Sequence, residues 1–427
     1  MIRSLAPGGA VSRVALSAFL QETLADVGRP GEHVLVVVPD DTRTAPMPVV
    51  FDALYRSLGR RAGQLTFLIA LGTHPPMTEA QLDQHLGAGR HAASRIVIEQ
   101  HDWKDLQALK TVGTIPRDTL AELSGGLLAE EVPVRIHRLA LEADRIVIVN
   151  PVFPHEVVGF SGGHKYFFPG IAGREILDVS HWLGALITNP KVNGHKETPV
   201  RRLIECAAKL VPTERMSISL VVHGHETVGA FLGDVYEAWS MAADLSAKTN
   251  ITWQERPFRT VLSIAPPMYR ELWTAGKCMY KLEPVVADGG TLIIYAPHLQ
   301  EISPTHGTWI EQVGYHTRDY FLGQWDRFRD TPRAILAHST HVKGIGTFHR
   351  GRERPRIEVV LATGLSEQTC KRINLGYSDP ASISPTAWMN DTDEDILVVP
   401  DAGETLHRLS NGTVPDIDHL PTADTAD

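Results

Sequence analysis

Four short apolar runs mark the first third of the chain: His33–Val38 (HVLVVV), Leu65–Leu71 (LTFLIAL), Arg95–Gln100 (RIVIEQ) and Asp144–Asn150 (DRIVIVN). Each has the length and β-branched content of a buried strand. Stretches of helical period, near Met47–Leu58 and Thr78–Leu86, lie between the earlier ones, and alternation of this kind predicts a mostly parallel sheet covered by helices. Met216–Val222 (MSISLVV) continues the series, and Asp234 is placed to start a helix after it. A second series follows at Arg259–Ala265, Gly290–Ala296, Arg356–Thr363 and Asp395–Asp401. The polar NITWQERP around Ile251–Pro257 separates the two series, so the pattern predicts two α/β domains, 1–254 and 255–427, with mostly parallel sheets and an active site in the cleft between them. The stretch from about Pro297 to Thr331 has weak periodicity and reads as a long loop or lid. The closing VPDIDHLPTADTAD reads as a frayed tail.

Length agrees with this division, since 427 residues exceed one ordinary core. A net charge of -9 and no basic run beyond GRERPR (Gly351–Arg356) leave no footprint for nucleic acid. Cys206, Cys278 and Cys370 are far apart and odd in number, which fits reduced thiols better than a disulfide framework. Gln21 and Glu22 interrupt the early apolar positions before a signal peptide can form, and no apolar run is long enough to cross a membrane. The expectation is a cytoplasmic protein.

In such sheets, binding residues gather just past the carboxyl ends of strands, so the strand ends hold the candidate chemistry. The first strand ends in Asp40, Asp41, Thr42 and Arg43, a carboxylate and guanidinium set able to hold an anion or an ion; a polar helix-capping turn explains it equally well. The next ends in Gly72, Thr73 and His74, where an imidazole suited to proton transfer competes with an ordinary structural histidine. Following Asn150, the segment HEVVGFSGGHKYFFPGIAGREILDVSH brings His155, Ser161, Gly162, Gly163, His164, Lys165 and His181 into 27 positions. Its glycines suggest a phosphate cradle, although the neighbours of Lys165 do not spell a P-loop. A zinc site on the three histidines, a lysine-attached cofactor and a solvated glycine turn remain open on residue types alone.

Taken together, DDTR, GTH, His155 ten residues before Lys165, PGIA at Pro169–Ala172 and His181 sixteen residues after Lys165 resemble the nickel-dependent lactate racemases and their homologues. NPK at Asn189–Lys191, GAFLGD at Gly229–Asp234 and Lys277, twelve residues before Gly289, extend the resemblance to roughly residues 33–300. It implies a racemase or epimerase of a small 2-hydroxy acid, lactate or another short aliphatic acid first. It also implies a nickel-pincer nucleotide, pyridinium-3-thioamide-5-thiocarboxylic acid mononucleotide, joined to Lys165, with Ni(II) ligated by His181. In that pattern His74 and His155 are the paired bases, and Arg43 and Lys277 grip the substrate carboxylate. Asp40 and Thr42 order Arg43 or the cofactor, and Ser161, Gly162 and Gly163 cradle its phosphate. Cofactor-making and nickel-insertion proteins are implied as partners. Thr44, His164, Trp273 and Thr274 depart from the pattern: His164 stands where arginine is frequent, and Trp273 and Thr274 occupy substrate-facing positions. Trp325 matches a family aromatic near the cofactor. His338, His341 and His349 read as a polar loop or a second site. The rival readings are a metal hydrolase or phosphate-binding transferase built on the same histidines, and a binding protein that keeps the cofactor without turnover.

Overall fold

The computed structural model describes residues 2–87 and 96–420. Arg95, which opens one expected strand, and residues 421–427 of the expected tail lie outside the described residues. The chain is mixed α/β with mostly parallel sheets. It divides into two compact units that exchange segments: the first holds Met1–Phe153, Phe160–Ser180 and Pro199–Thr249, the second Pro154–Gly159, His181–Thr198 and Asn250–Asp427.

The first unit is built on a seven-stranded sheet in the order Arg3–Leu5, Glu226–Gly233, Glu214–His223, Arg145–Pro151, His33–Val38, Gln64–Ile69, Ile96–Gln100. The last five of these run parallel; the first two pairings are antiparallel. Val34 to Val38 are all buried, as are Ile146 to Pro151, which is why both read as apolar runs without alternation. His33–Val38 pairs with Gln64–Ile69 on one side and Arg145–Pro151 on the other, so the strand order reverses there and opens a crevice at the carboxyl ends. The helix over Met47–Leu58 buries Met47, Val50, Phe51 and Leu54 against this sheet. Thr78 and Gln81 form a reciprocal capping box at the start of Glu79–Leu86. Asp234 Oδ1 accepts from the Tyr236 and Glu237 N–H groups, starting the helix Val235–Thr249. An antiparallel ribbon, Leu109–Ile115 with Val132–His137, was not legible as apolar runs.

The second unit carries a five-stranded, all-parallel sheet in the order Gly376–Tyr377, Glu358–Thr363, Val286–Ala296, Phe258–Ile264, Ile396–Val399. Four expectations change here. Ile251–Gln254, read as part of a polar separator, is a strand paired with Leu406–Leu409, because a partner distant in sequence supplies its ladder. The weakly periodic stretch is three short helices, Gly307–Val313, Arg318–Leu322 and Trp325–Phe328, joined by an aromatic cluster in which His316 stacks on Tyr320 at 3.7 Å. HSTHVK is not a polar loop either: it ends a buried helix, Arg333–Lys343, that hides His338 and His341 while His349 sits exposed on the following hairpin. In the tail, Asp416 pairs with Lys191 at 2.6 Å and Ile417 is buried, so its described part is anchored rather than frayed. All three cysteines are free thiols.

Candidate active site

The buried strand His33–Val38 delivers Asp40 almost fully buried, at 5% exposure, into the crevice of the first unit. Its Oδ1 accepts from the Thr42 hydroxyl at 2.8 Å and the Thr42 N–H at 3.3 Å, a local turn that fixes the carboxylate. Oδ2 lies 2.5 Å from His74 Nδ1. An ionised carboxylate only accepts, so the proton of a neutral His74 belongs on Nδ1 and Nε2 keeps its lone pair. Gly72, at φ +58°, makes the turn that lifts His74 off its strand. Tyr166, buried beside Lys165, lies within the electrostatic reach of both Arg43 and Asp40: burial pushes its phenol up, and the Arg43 charge opposes that rise. Asp40, Thr42, Arg43, His74 and Tyr166 therefore belong to one neighbourhood, and of these only Tyr166 gave no sequence signal.

The Lys165 turn is anchored from below. Asn150 Oδ1, at the end of the Arg145–Pro151 strand, accepts from the Gly163 N–H and the Ser219 hydroxyl, each at 3.1 Å. The Ser161 hydroxyl accepts from Phe153 N and donates to Pro151 O. Arg201 donates to the Phe160 and Gly162 carbonyls and lies 3.9 Å over the Trp239 ring, whose N–H donates to Ser161 O. A Cβ on Gly162 would meet Asn150 Oδ1 at 2.6 Å, and one on Gly163 the Trp239 ring at 3.0 Å. The two glycines are thus demanded by packing, and the Ser161 hydroxyl and Gly163 N–H are engaged within the protein. His164 accepts from Arg215 at Nε2 (3.0 Å), which puts its proton on Nδ1, facing Glu205 at 2.6 Å. Burial pushes Glu205 up, yet His164 and Arg201 outweigh it and hold the carboxyl below its ordinary value. Between Phe160 and Pro169 only Lys165 is not buried.

In the second unit, the Val157 N–H donates to His155 Nδ1 at 3.1 Å, which assigns the proton of the neutral ring to Nε2. Glu156 Oε2 stands 3.3 Å from the same Nδ1. His338 is held well below its ordinary value by burial, and then by nearby His341, His306 and His181; burial likewise brings His341 down to about 4. His338 and His341 are thus kept neutral, with His181 within electrostatic reach of both. Trp273 packs 3.7 Å from the His338 ring and 4.1 Å from His306, and Trp182, next to His181, stacks on Trp325 at 5.6 Å. The Thr274 hydroxyl donates to the buried Glu271 at 3.0 Å, and the Lys277 ammonium, largely buried, lies 4.7 Å from the Tyr269 ring centre. Sequence reasoning passed over Glu271 and His306; the histidine spacing of HSTH was the one visible trace of these buried rings. Among the described residues, no group of three or more His, Cys, Asp or Glu side chains is placed to hold a metal.

Comparison with known proteins bears on this arrangement. Residues 6–193 match the lactate racemase N-terminal domain family. The lactate racemase of Thermoanaerobacterium thermosaccharolyticum is 26% identical over 292 residues, covering 66% of this chain and 63% of the relative. That of Lactiplantibacillus plantarum is 24% identical over 280 residues, covering 64% and 62%. The matched part is thus a little under two thirds of each relative's length. A crystal structure of a Thermotoga maritima protein superposes with a TM-score of 0.88 at 33% identity, over 95% of this chain and 100% of that one. The lactate racemase apoprotein of T. thermosaccharolyticum shares the fold at a TM-score of 0.67 and 21% identity, over 91% and 88%.

Proposed function

On the match of residues 6–193 to the lactate racemase N-terminal domain family, we propose that the chain is a member of that family and inverts C2 of a small 2-hydroxy acid, with lactate or another short aliphatic acid as first substrate. The observation that carries this reading is the contrast in proton placement between two histidines. His74 donates from Nδ1 to Asp40 and keeps a basic Nε2; His155 accepts at Nδ1 and holds its proton on Nε2. An enzyme that acts on both hands of a substrate needs a base for each 2-hydroxyl position and an acid to reverse it.

In this mechanism Arg43 presents its planar fork to the substrate carboxylate, and Lys277 adds a second positive charge, so that C2 is oriented before reaction. His74 Nε2 takes the hydroxyl proton of one enantiomer, and the buried Asp40 carboxylate stabilises the imidazolium that forms. His155 holds the oxygen of the other hand through its Nε2–H. It gives that proton to the oxygen only as the imidazolium, with a solvent proton on Nδ1 facing Glu156 at 3.3 Å, and it regains a proton at Nε2 from the hydroxyl when that hand is the substrate.

The residues also fit the nickel-pincer nucleotide. Lys165 is the one accessible amine of its turn, suited to a covalent link, and His181 offers the nitrogen donor that square-planar Ni(II) accepts. When bound, the nucleotide would take the C2 hydrogen as hydride and return it, which avoids a second negative charge beside the carboxylate. Such a cofactor would come from dedicated biosynthetic and nickel-insertion proteins.

The test is peptide mass spectrometry of protein produced with and without the cofactor-making enzymes and nickel. A mass increment on the Lys165 peptide with stoichiometric nickel, and retention of deuterium when C2-deuterated substrate is racemised in ordinary water, is the expected result. An unmodified Lys165 under both conditions sinks the cofactor assignment, and washout of deuterium sinks hydride transfer.

A further inference from the structure

The loop that follows Lys165 is held more tightly than a connection requires. Gly170 N–H donates back to Lys165 O at 3.0 Å and Ile171 N–H to Phe167 O at 3.1 Å, so the loop and the lysine turn form one hydrogen-bonded piece. Its next three carbonyls are each taken by a different strand end of the first unit. Gly170 O accepts from Gly72 N–H at 3.0 Å, in the turn that carries His74. Ile171 O accepts from His137 N–H at 2.9 Å, and Ala172 O from His101 Nε2 at 3.1 Å. Gly173 N–H then donates to Arg135 O at 3.0 Å. Every one of these donors but one is backbone and independent of side-chain identity. The exception is His101, 2% exposed at the end of the Ile96–Gln100 strand, with the His137 ring edge-on at a centroid distance of 5.7 Å.

The Ala172 bond fixes the His101 tautomer as Nε2–H, leaving Nδ1 as a buried lone pair with no partner among the described residues. A core histidine kept only for volume would be replaceable by an apolar ring without leaving that acceptor unsatisfied, and burying it costs free energy. Holding the Ala172 carbonyl is the one polar bond the ring makes among the described residues. Burial keeps both His101 and His137 neutral, each brought down to about 4, so the clamp carries no charge at neutral pH.

We infer that His101 is a positioning residue: by holding Ala172 it locks the Gly170–Gly173 loop, and through the Gly72–Gly170–Lys165 backbone relay it sets the Lys165 turn against the turn of His74. The loop clamp stands on its own geometry; its value for catalysis rests on the reading of Lys165 as the attachment point. The experiment compares wild type, His101→Phe, which keeps a ring and loses the donor, and His101→Gln, whose amide restores one. Two readouts are taken on protein produced without cofactor: hydrogen exchange of the peptide covering 166–173, and the rate of Lys165 acylation by an N-hydroxysuccinimide ester, normalised to Lys209. In His101→Phe, exchange should accelerate at least tenfold in that peptide alone and Lys165 labelling should change at least threefold. His101→Gln should bring both back. If His101→Phe does not fold, His101→Asn, too short to reach Ala172 O, serves the same purpose. Wild-type exchange and labelling in the donor-less variant would overturn the inference. Because neither readout needs the cofactor, that failure is distinct from finding Lys165 unmodified in the loaded protein.

Discussion

The two units use the same side chain in opposite ways. In the first, His74 is partly open, its side chain 24% exposed, and tied through Nδ1 to a buried carboxylate. In the second, His338 and His341 are buried among rings, His338 stacked on Trp273 and His341 edge-on to Tyr280, and burial holds both neutral. A carboxylate partner at the edge of water fixes which nitrogen carries the proton and leaves the second nitrogen within reach. Burial against aromatic faces makes it a polar wall, because desolvation penalises the charged form there, for His341 by more than the Glu156 charge offsets. His155 lies between these cases: it is buried like His338 and His341, yet has Glu156 beside it.

The largest effects expected on this comparison come from the proton carriers. His74→Ala and His155→Ala should each lower the racemisation rate by about 10²–10⁴-fold, the usual range for a lost general base, while the mass of the Lys165 peptide from loaded protein stays unchanged. Either variant racemising at the wild-type rate would remove that histidine from the pair. Asp40→Asn keeps the size of the side chain but lets its amide donate, which frees His74 to take the wrong tautomer. A loss on the order of 10²-fold in kcat is expected, with a shift in the acidic limb of the pH–rate profile; an unchanged profile would mean that Asp40 is structural.

The smallest effect is on stability, and it tests the buried class. His101, His137, His341 and His407 are each lowered from 6.5 to about 4, burial being the first cause in every case. The unfolded chain therefore binds protons at higher pH than the native one. Their contribution is intact above pH 6.5 and is lost progressively as pH falls towards 4, at most about 3 kcal/mol for each group. Urea midpoints measured from pH 7.5 down to 4.5 should decline, and replacing His341 by Phe should flatten the decline. A midpoint that holds steady or rises on acidification would contradict the placement of these rings.

Much of this was legible before any coordinates. The runs at His33–Val38 and Asp144–Asn150 foretold the central strands of the first unit because strands buried on both faces need continuous apolar sequence. Asp40 and His74 were legible as strand-end residues for the same reason. The limits are equally physical. Glycine and serine suit both a phosphate cradle and a tight turn, so the sequence alone did not show that Ser161 and Gly163 bond to Pro151, Phe153 and Asn150. The buried helix Arg333–Lys343 was hidden by its polar letters, since histidine, serine and threonine give no apolar stripe even when neighbouring rings enclose them.

What the sequence determined by itself is local: strand and helix periods, the capping of Glu79–Leu86, and the spacing of His155, Lys165 and His181 that marks the family. Tertiary structure alone decided which nitrogen of each histidine carries the proton, that His181 lies within electrostatic reach of the neutral His338 and His341, and that three strand ends converge on the loop after Lys165. The reason is one of range. Periodicity is set by neighbours along the chain, whereas a tautomer or a buried charge state is set by partners tens of residues away, such as Asp40 for His74 or Ala172 for His101.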